Sequence, residues 1–206
     1  IALGGLGHPA DVERLRMILL DMAHAEGFNR SAKDVTIGRL LQFGLAPALK
    51  QNFEEIQRAP YLIQMLLAEI NHEDTAEFFR VNYDGYWEKF KQGTVISGDN
   101  KVSERIQKKI DNTDFVSCTL NKSIQSALRI WEEGRKKPAL EKESLKSTDD
   151  NDEPDDEMEG HPTDLKEAFE RWNLEVGILN KNTGRKCLYS TLSESEISAL
   201  QSEVIR

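Results

Sequence analysis

Cysteine is nearly missing from this chain: two residues, Cys118 and Cys187, among 206. They are too few for a disulfide framework and too far apart for a thiolate metal site. A reducing cytoplasm is the expected setting. No apolar run approaches the roughly 20 residues that span a bilayer, and no apolar signal core stands near the start. Membrane association is therefore not expected, while Ile1 in place of Met leads us to expect further residues upstream. The four histidines, His8, His24, His72 and His161, show no His-x-x-x-His or Glu-x-x-His spacing that would set two ligands on one helical face. Glu69 and Asp74 flank His72, but a polar surface histidine accounts for that arrangement. Gly4-Gly5-Leu6-Gly7 has no lysine, so it is not a phosphate loop. No Gly-x-Ser-x-Gly elbow occurs, and neither cysteine has a histidine in a catalytic context. These absences predict a non-enzymatic protein with no cofactor and no metal.

Charge, by contrast, is abundant and unevenly placed. Charged residues make up 31% of the chain and apolar ones 38%, with a net charge of −9. Residues 141–160 hold ten acidic side chains and two lysines; without them the chain has 25 basic and 26 acidic residues. From 101 to 140 there are nine basic and five acidic residues. The acidity thus belongs to one tract, centred on Asp149 to Glu159, with almost nothing apolar to bury. Like charges at that density favour an extended, disordered linker. It separates an expected helical domain, 1–140, from a small unit, 161–206.

The N-terminal part reads as successive helices. Pro9 suits a first helical turn, and Val12, Leu15, Leu19 and Met22 recur at helical spacing up to a stop at Gly27. Ser31 with Asp34 approximates a capping box for a second helix with Val35, Ile37, Leu40, Leu41 and Leu45 on one face. Pro47 should kink or end it. Further helices are expected at 49–57, at 61–71 after Pro60, and from about 74, where Phe78, Phe79, Tyr86, Trp87 and Phe90 would form core. Thr94 to Ser97 is the one strand-like run before 140. The fold class is mainly α there. The C-terminal unit reads as α+β: a helix capped by Thr163, strands at 176–179 and 186–189 around an Asn/Gly turn, and a helix from Glu194 to Ile205 capped by Ser193 with Glu196.

Two stretches, 9–50 and 101–134, share one cadence: a helix, a polar turn, then a capped helix closing on a small residue and Leu. With Thr94 to Ser97 ahead of the second, this resembles ribbon-helix-helix DNA-binding proteins. The resemblance implies a regulator or accessory factor of bacterial or phage DNA, bound to double-stranded DNA. In that family the turn before the second helix anchors to phosphates and the strand reads bases. Carried onto this chain, the anchors are Asn29, Arg30, Ser31 and Lys33 at one helix start and Thr119, Asn121 and Lys122 at the other. A helix N-terminus supplies free amides and a positive dipole end for such a contact. Lys101, Arg105, Lys108 and Lys109 would add a phosphate-tracking surface. Phe43, Leu45, Leu128 and Trp131 are expected in the core. The competing expectation is a helical adaptor or scaffold subunit that binds protein partners or a second copy of itself, which the near-neutral charge outside the tract suits well.

Overall fold

The computed structural model describes residues 1–57, 59–136, 161–184 and 187–205. The acidic segment expected to be a linker, 141–160, lies outside the described residues. The architecture is mixed α+β, which corrects the mainly helical expectation. The chain divides into two compact units, Ile1–Val116 with Gly177–Thr191, and Ser117–Val176 with Leu192–Arg206.

The first unit is built on a four-stranded antiparallel sheet in the order β1 (Ala2–Gly7), β2 (Ile63–Ile70), β3 (Ala76–Asn82) and β4 (Trp87–Phe90). β2 occupies the stretch expected to be helical at 61–71. Its Gln, Met, Leu, Ala and Glu are good helix formers, and apolar side chains stand on both faces, so the period of two is hidden in sequence. Pairing on both edges decides the conformation: Leu67 faces Leu3 on one side and Phe79 on the other. The aromatic stretch after Asp74 is likewise a hairpin, β3 and β4, with Phe79 buried and Phe78 half-buried on the opposite face. The turn between them is Tyr83-Asp84-Gly85, where Gly85 takes φ +83° and lies against the Ala46 carbonyl. Thr94 to Ser97, the expected strand, carries no strand structure.

One face of the sheet is covered by helices α1 (Pro9–Asn29), α2 (Ile37–Leu40) and α3 (Ala46–Glu54). Leu15, Leu19, Ile37, Leu40, Leu41, Leu45 and Leu49 meet Ile63, Met65, Leu67, Phe79 and Val81 in the core. α2 and α3 are joined by a π-helical turn, Leu41–Leu45, in which the Ala46 amide donates to the Leu41 carbonyl. Pro47 therefore neither ends nor breaks the run; a wide turn accommodates the amide that proline lacks. Phe43 sits on the outer side of that turn, 68% exposed, and Arg39 lies 5.3 Å over its ring. This corrects its expected place in the core, while Leu45 is fully buried.

α4 (Asn100–Asp111) completes the helices of this unit and is held by the loop after β4. Gln107 Nε2 donates to the Gly93 carbonyl at 3.2 Å, and Thr94 Oγ1 donates to Gln107 Oε1 at 2.9 Å. A two-stranded hairpin, β5 (Gly177–Leu179) and β6 (Tyr189–Thr191), belongs to the same unit. Its second strand begins at Tyr189, later in the chain than the expected 186–189.

The second unit contains α5 (Leu120–Arg135), α6 (Leu165–Arg171) and α7 (Glu194–Ile205). The α6 cap is Asp164, whose carboxylate accepts from the Glu167 amide at 2.8 Å, one residue beyond the expected Thr163. The capping box at α7 is as expected: the Ser193 amide donates to Glu196 Oε2 at 2.8 Å, and the Glu196 amide to Ser193 Oγ at 3.4 Å. Trp131 and Trp172 meet edge to face at 6.2 Å, with the Arg135 guanidinium over both rings. Both Leu128 and Trp131 are half-buried there rather than core.

Candidate interaction surfaces

A phosphate anchor at a helix start needs amides that no internal anion already occupies, so the capping group at each start decides what it can bind. Around Ser31 there is no α-helix start. Asn29 is the last residue of α1, Arg30 follows it and pairs with Glu26 at 3.1 Å, and Ser31 caps a single 3-10 turn, Ala32–Asp34, that includes Lys33. His72 Nε2 contacts the Lys33 carbonyl. Asn29 and Arg30 therefore stand at a helix C-terminus, the negative end of the dipole, and Ser31 and Lys33 belong to the short turn that follows it. The α-helix begins six residues after Ser31, at Ile37, with Thr36 as its cap.

At that true start the Ile37 amide donates to Glu69 Oε2 at 2.9 Å. Glu69 is 7% exposed, the one buried charged side chain among the described residues. Burial raises its pKa above the usual carboxylate range; the Ile37 hydrogen bond opposes this, and the Glu77 charge adds to it. Glu69 points from β2 into the helix layer, at a position where the pattern of β2 otherwise places Ile63, Met65 and Leu67. The helical reading of 61–71 hides Glu69 among polar surface positions. A strand assignment exposes it as a carboxylate on the buried face.

α4 has an anion at its start as well. Asp99 Oδ1 accepts from the Lys101 and Val102 amides at 2.7 and 3.2 Å. Along the helix, Lys101, Arg105 and Lys108 recur at spacings of four and three and so share one side. Lys101 and Lys108 are exposed, whereas Arg105 and Lys109 are half-buried. α5 is capped by a hydroxyl, as α2 is by Thr36, but no carboxylate accepts from its first amides among the described residues: Thr119 Oγ1 accepts from the Lys122 amide at 3.4 Å, with Asn121 and Lys122 exposed beside it. The candidate cations thus lie in both units, Lys101 to Lys109 in the first and Lys122 in the second.

The most distinctive surface is the second face of the sheet. On β2 the burial alternates strictly, with Gln64, Leu66, Ala68 and Ile70 half-buried opposite the core positions. The register extends this face to Leu6 of β1, to Phe78, Arg80 and Asn82 of β3, and to Glu88 and Phe90 of β4. Arg80 is paired with Glu88 at 2.5 Å and lies 5.2 Å over the Phe90 ring. Leu6, Leu62 and Tyr86 are 40%, 67% and 57% exposed around one end. There, Gln64 faces Asn82 across the strands, and Gln64 Oε1 and Asn82 Oδ1 are buried with no donor among the described residues. An acceptor left so costs about 1–3 kcal/mol.

Among the described residues no group of three or more His, Cys, Asp and Glu side chains is placed to hold a metal ion, and no helix is long and apolar enough to cross a membrane. Comparison with known proteins gives no match to any family model and none to a curated protein.

Proposed function

We propose that this protein is a non-enzymatic scaffold or adaptor subunit that docks a protein partner on the second face of its sheet. The observation that carries this reading is the composition of that face. It brings together Leu66, Ala68, Ile70, Phe78 and Phe90. Interface centres are depleted in charge and rich in aromatic side chains, as this face is. The one charged pair there, Arg80 with Glu88, is already neutralised within the face. Photocrosslinking amino acids at Ala68 and Phe78 in the cell test the reading. A single partner band from both positions, and none from Lys50 on α3, is expected. No crosslink from either face position overturns it.

Binding to double-stranded DNA is the second reading, favoured by the Lys101, Arg105 and Lys108 row and by the neutral cap at Thr119, which leaves Asn121 and Lys122 beside an uncharged helix start. Phosphate contacts of this kind make binding steeply salt-dependent.

A further inference from the structure

The sheet has two edges, β1 and β4, and they are built differently. β4 is four residues long, its Glu88 and Lys89 are engaged in ion pairs with Arg80 and Glu77, and Lys91 follows directly. Shortness and charge are the features that keep a sheet from adding strands. β1 has neither: it runs six residues, Ala-Leu-Gly-Gly-Leu-Gly, without charge or proline, and Gly4 to Gly7 are exposed. Beside it lies a cavity of about 400 Å³ whose walls include Leu3, Leu19, Leu20, Ala23, Leu40 and Leu67. It is well above the roughly 150 Å³ of apolar space that takes up a benzene ring.

We propose that the β1 edge accepts an added β-strand from a partner protein, an extended segment with apolar residues at every second position, whose inward side chains fill this cavity. The proposal rests on the reading of this sheet as a protein-docking surface. A strand added about 4.8 Å beyond β1 pairs the unpaired edge amides and carbonyls and sends alternate side chains to the α1 side. Those positions meet the aliphatic wall formed by Leu3, Leu20 and Ala23, and the other side chains extend the second face of the sheet. A second copy of β1 is a poor occupant. Its helix-side positions are Leu3, Gly5 and Gly7, which supply one aliphatic side chain for the whole cavity. At Gly4 a Cβ would meet nothing within 4 Å, so a side chain can be introduced at the edge without a clash.

The test uses the full chain and a fluorescein-labelled, end-capped peptide of alternating threonine and valine with a lysine at each end. Fluorescence anisotropy should show saturable binding, and amide exchange should slow across Ala2–Gly7. The same peptide N-methylated at every second residue should bind at least tenfold more weakly. Gly4→Lys, which charges the edge without a steric clash, and Leu20→Trp, which fills the cavity, should each weaken binding at least tenfold. Equal binding of the N-methylated peptide, or unchanged exchange at Ala2–Gly7, overturns the proposal, as does protection of Ala2–Gly7 by self-association alone in sedimentation. If the peptide fails while crosslinks from Ala68 and Phe78 persist, the edge proposal falls and the docking reading stands. Loss of both signals removes both.

Discussion

Glu69 shows how one side chain can be decided by competing terms. Removal from water penalises its charged form, while the Ile37 amide at the helix start favours it. Burial is the larger effect, so its folded pKa stands above the unfolded value. Glu77, opposite it on β3 and paired with Lys89, contributes repulsion, and the Lys89 charge opposes that. The sign follows from linkage: this contribution to stability is complete below the unfolded pKa and is lost as pH rises through the raised folded value. Glu69→Gln keeps an oxygen acceptor for Ile37 and removes the charge. Urea unfolding across the acidic-to-neutral range should therefore give a flatter stability profile than the wild type on its upper side. Glu69→Leu leaves the Ile37 amide without an acceptor and should cost about 1–3 kcal/mol at every pH. A Gln variant that retains the wild-type decline would show that Glu69 is not its source.

At the scale of elements, the turn between β3 and β4 shows where residue pattern reveals a fold and where it hides one. Asp84-Gly85 is a hairpin signal, and Gly85 takes the positive φ that such a turn demands. The glycine also lies against the Ala46 carbonyl of α3, so a methyl group there meets both strain and backbone. Gly85→Ala should destabilise the first unit by about 1–3 kcal/mol, measured by thermal or urea unfolding, with Gly4→Ala as the near-neutral control. A loss equal to that of the control would place the glycine requirement elsewhere. That turn is legible in the sequence itself, yet the aromatic residues on both sides of it suggest a helical stripe. Phe78 and Phe79 are adjacent in sequence and on opposite faces of a sheet, which no helical pattern expresses. Conversely, Ser193 with Glu196 marks the last helix in the sequence, because a capping box is a local device. Glu69 is hidden for the opposite reason: its partner, Ile37, is 32 residues away. The open β1 edge and its cavity are likewise products of strand order, which local spacing does not encode.

Taken as a whole, the molecule carries its charge in a way that bears on both functional readings. Outside 141–160 the chain is close to neutral, with 25 basic and 26 acidic residues, whereas duplex-binding proteins normally present a basic face. A DNA contact must then come from a few cations, and Lys101, Lys108 and Lys122 are the exposed ones on α4 and at the α5 start. Each phosphate neutralised contributes about −0.9 to the slope of log affinity against log salt. The triple variant Lys101→Ala, Lys108→Ala, Lys122→Ala should therefore flatten the slope for a random duplex by about 2–3 if all three touch phosphate. Deletion of 149–159 removes eight acidic residues and should tighten the same binding at low salt. Protein docking on the sheet behaves differently, since burial of Leu66, Phe78 and Phe90 is non-ionic and persists as salt rises. Duplex binding with an unchanged salt slope in the triple variant would remove these lysines from any DNA contact. No duplex binding even at low salt would remove the DNA reading and leave protein docking on the half-buried face of the sheet as the reading to test.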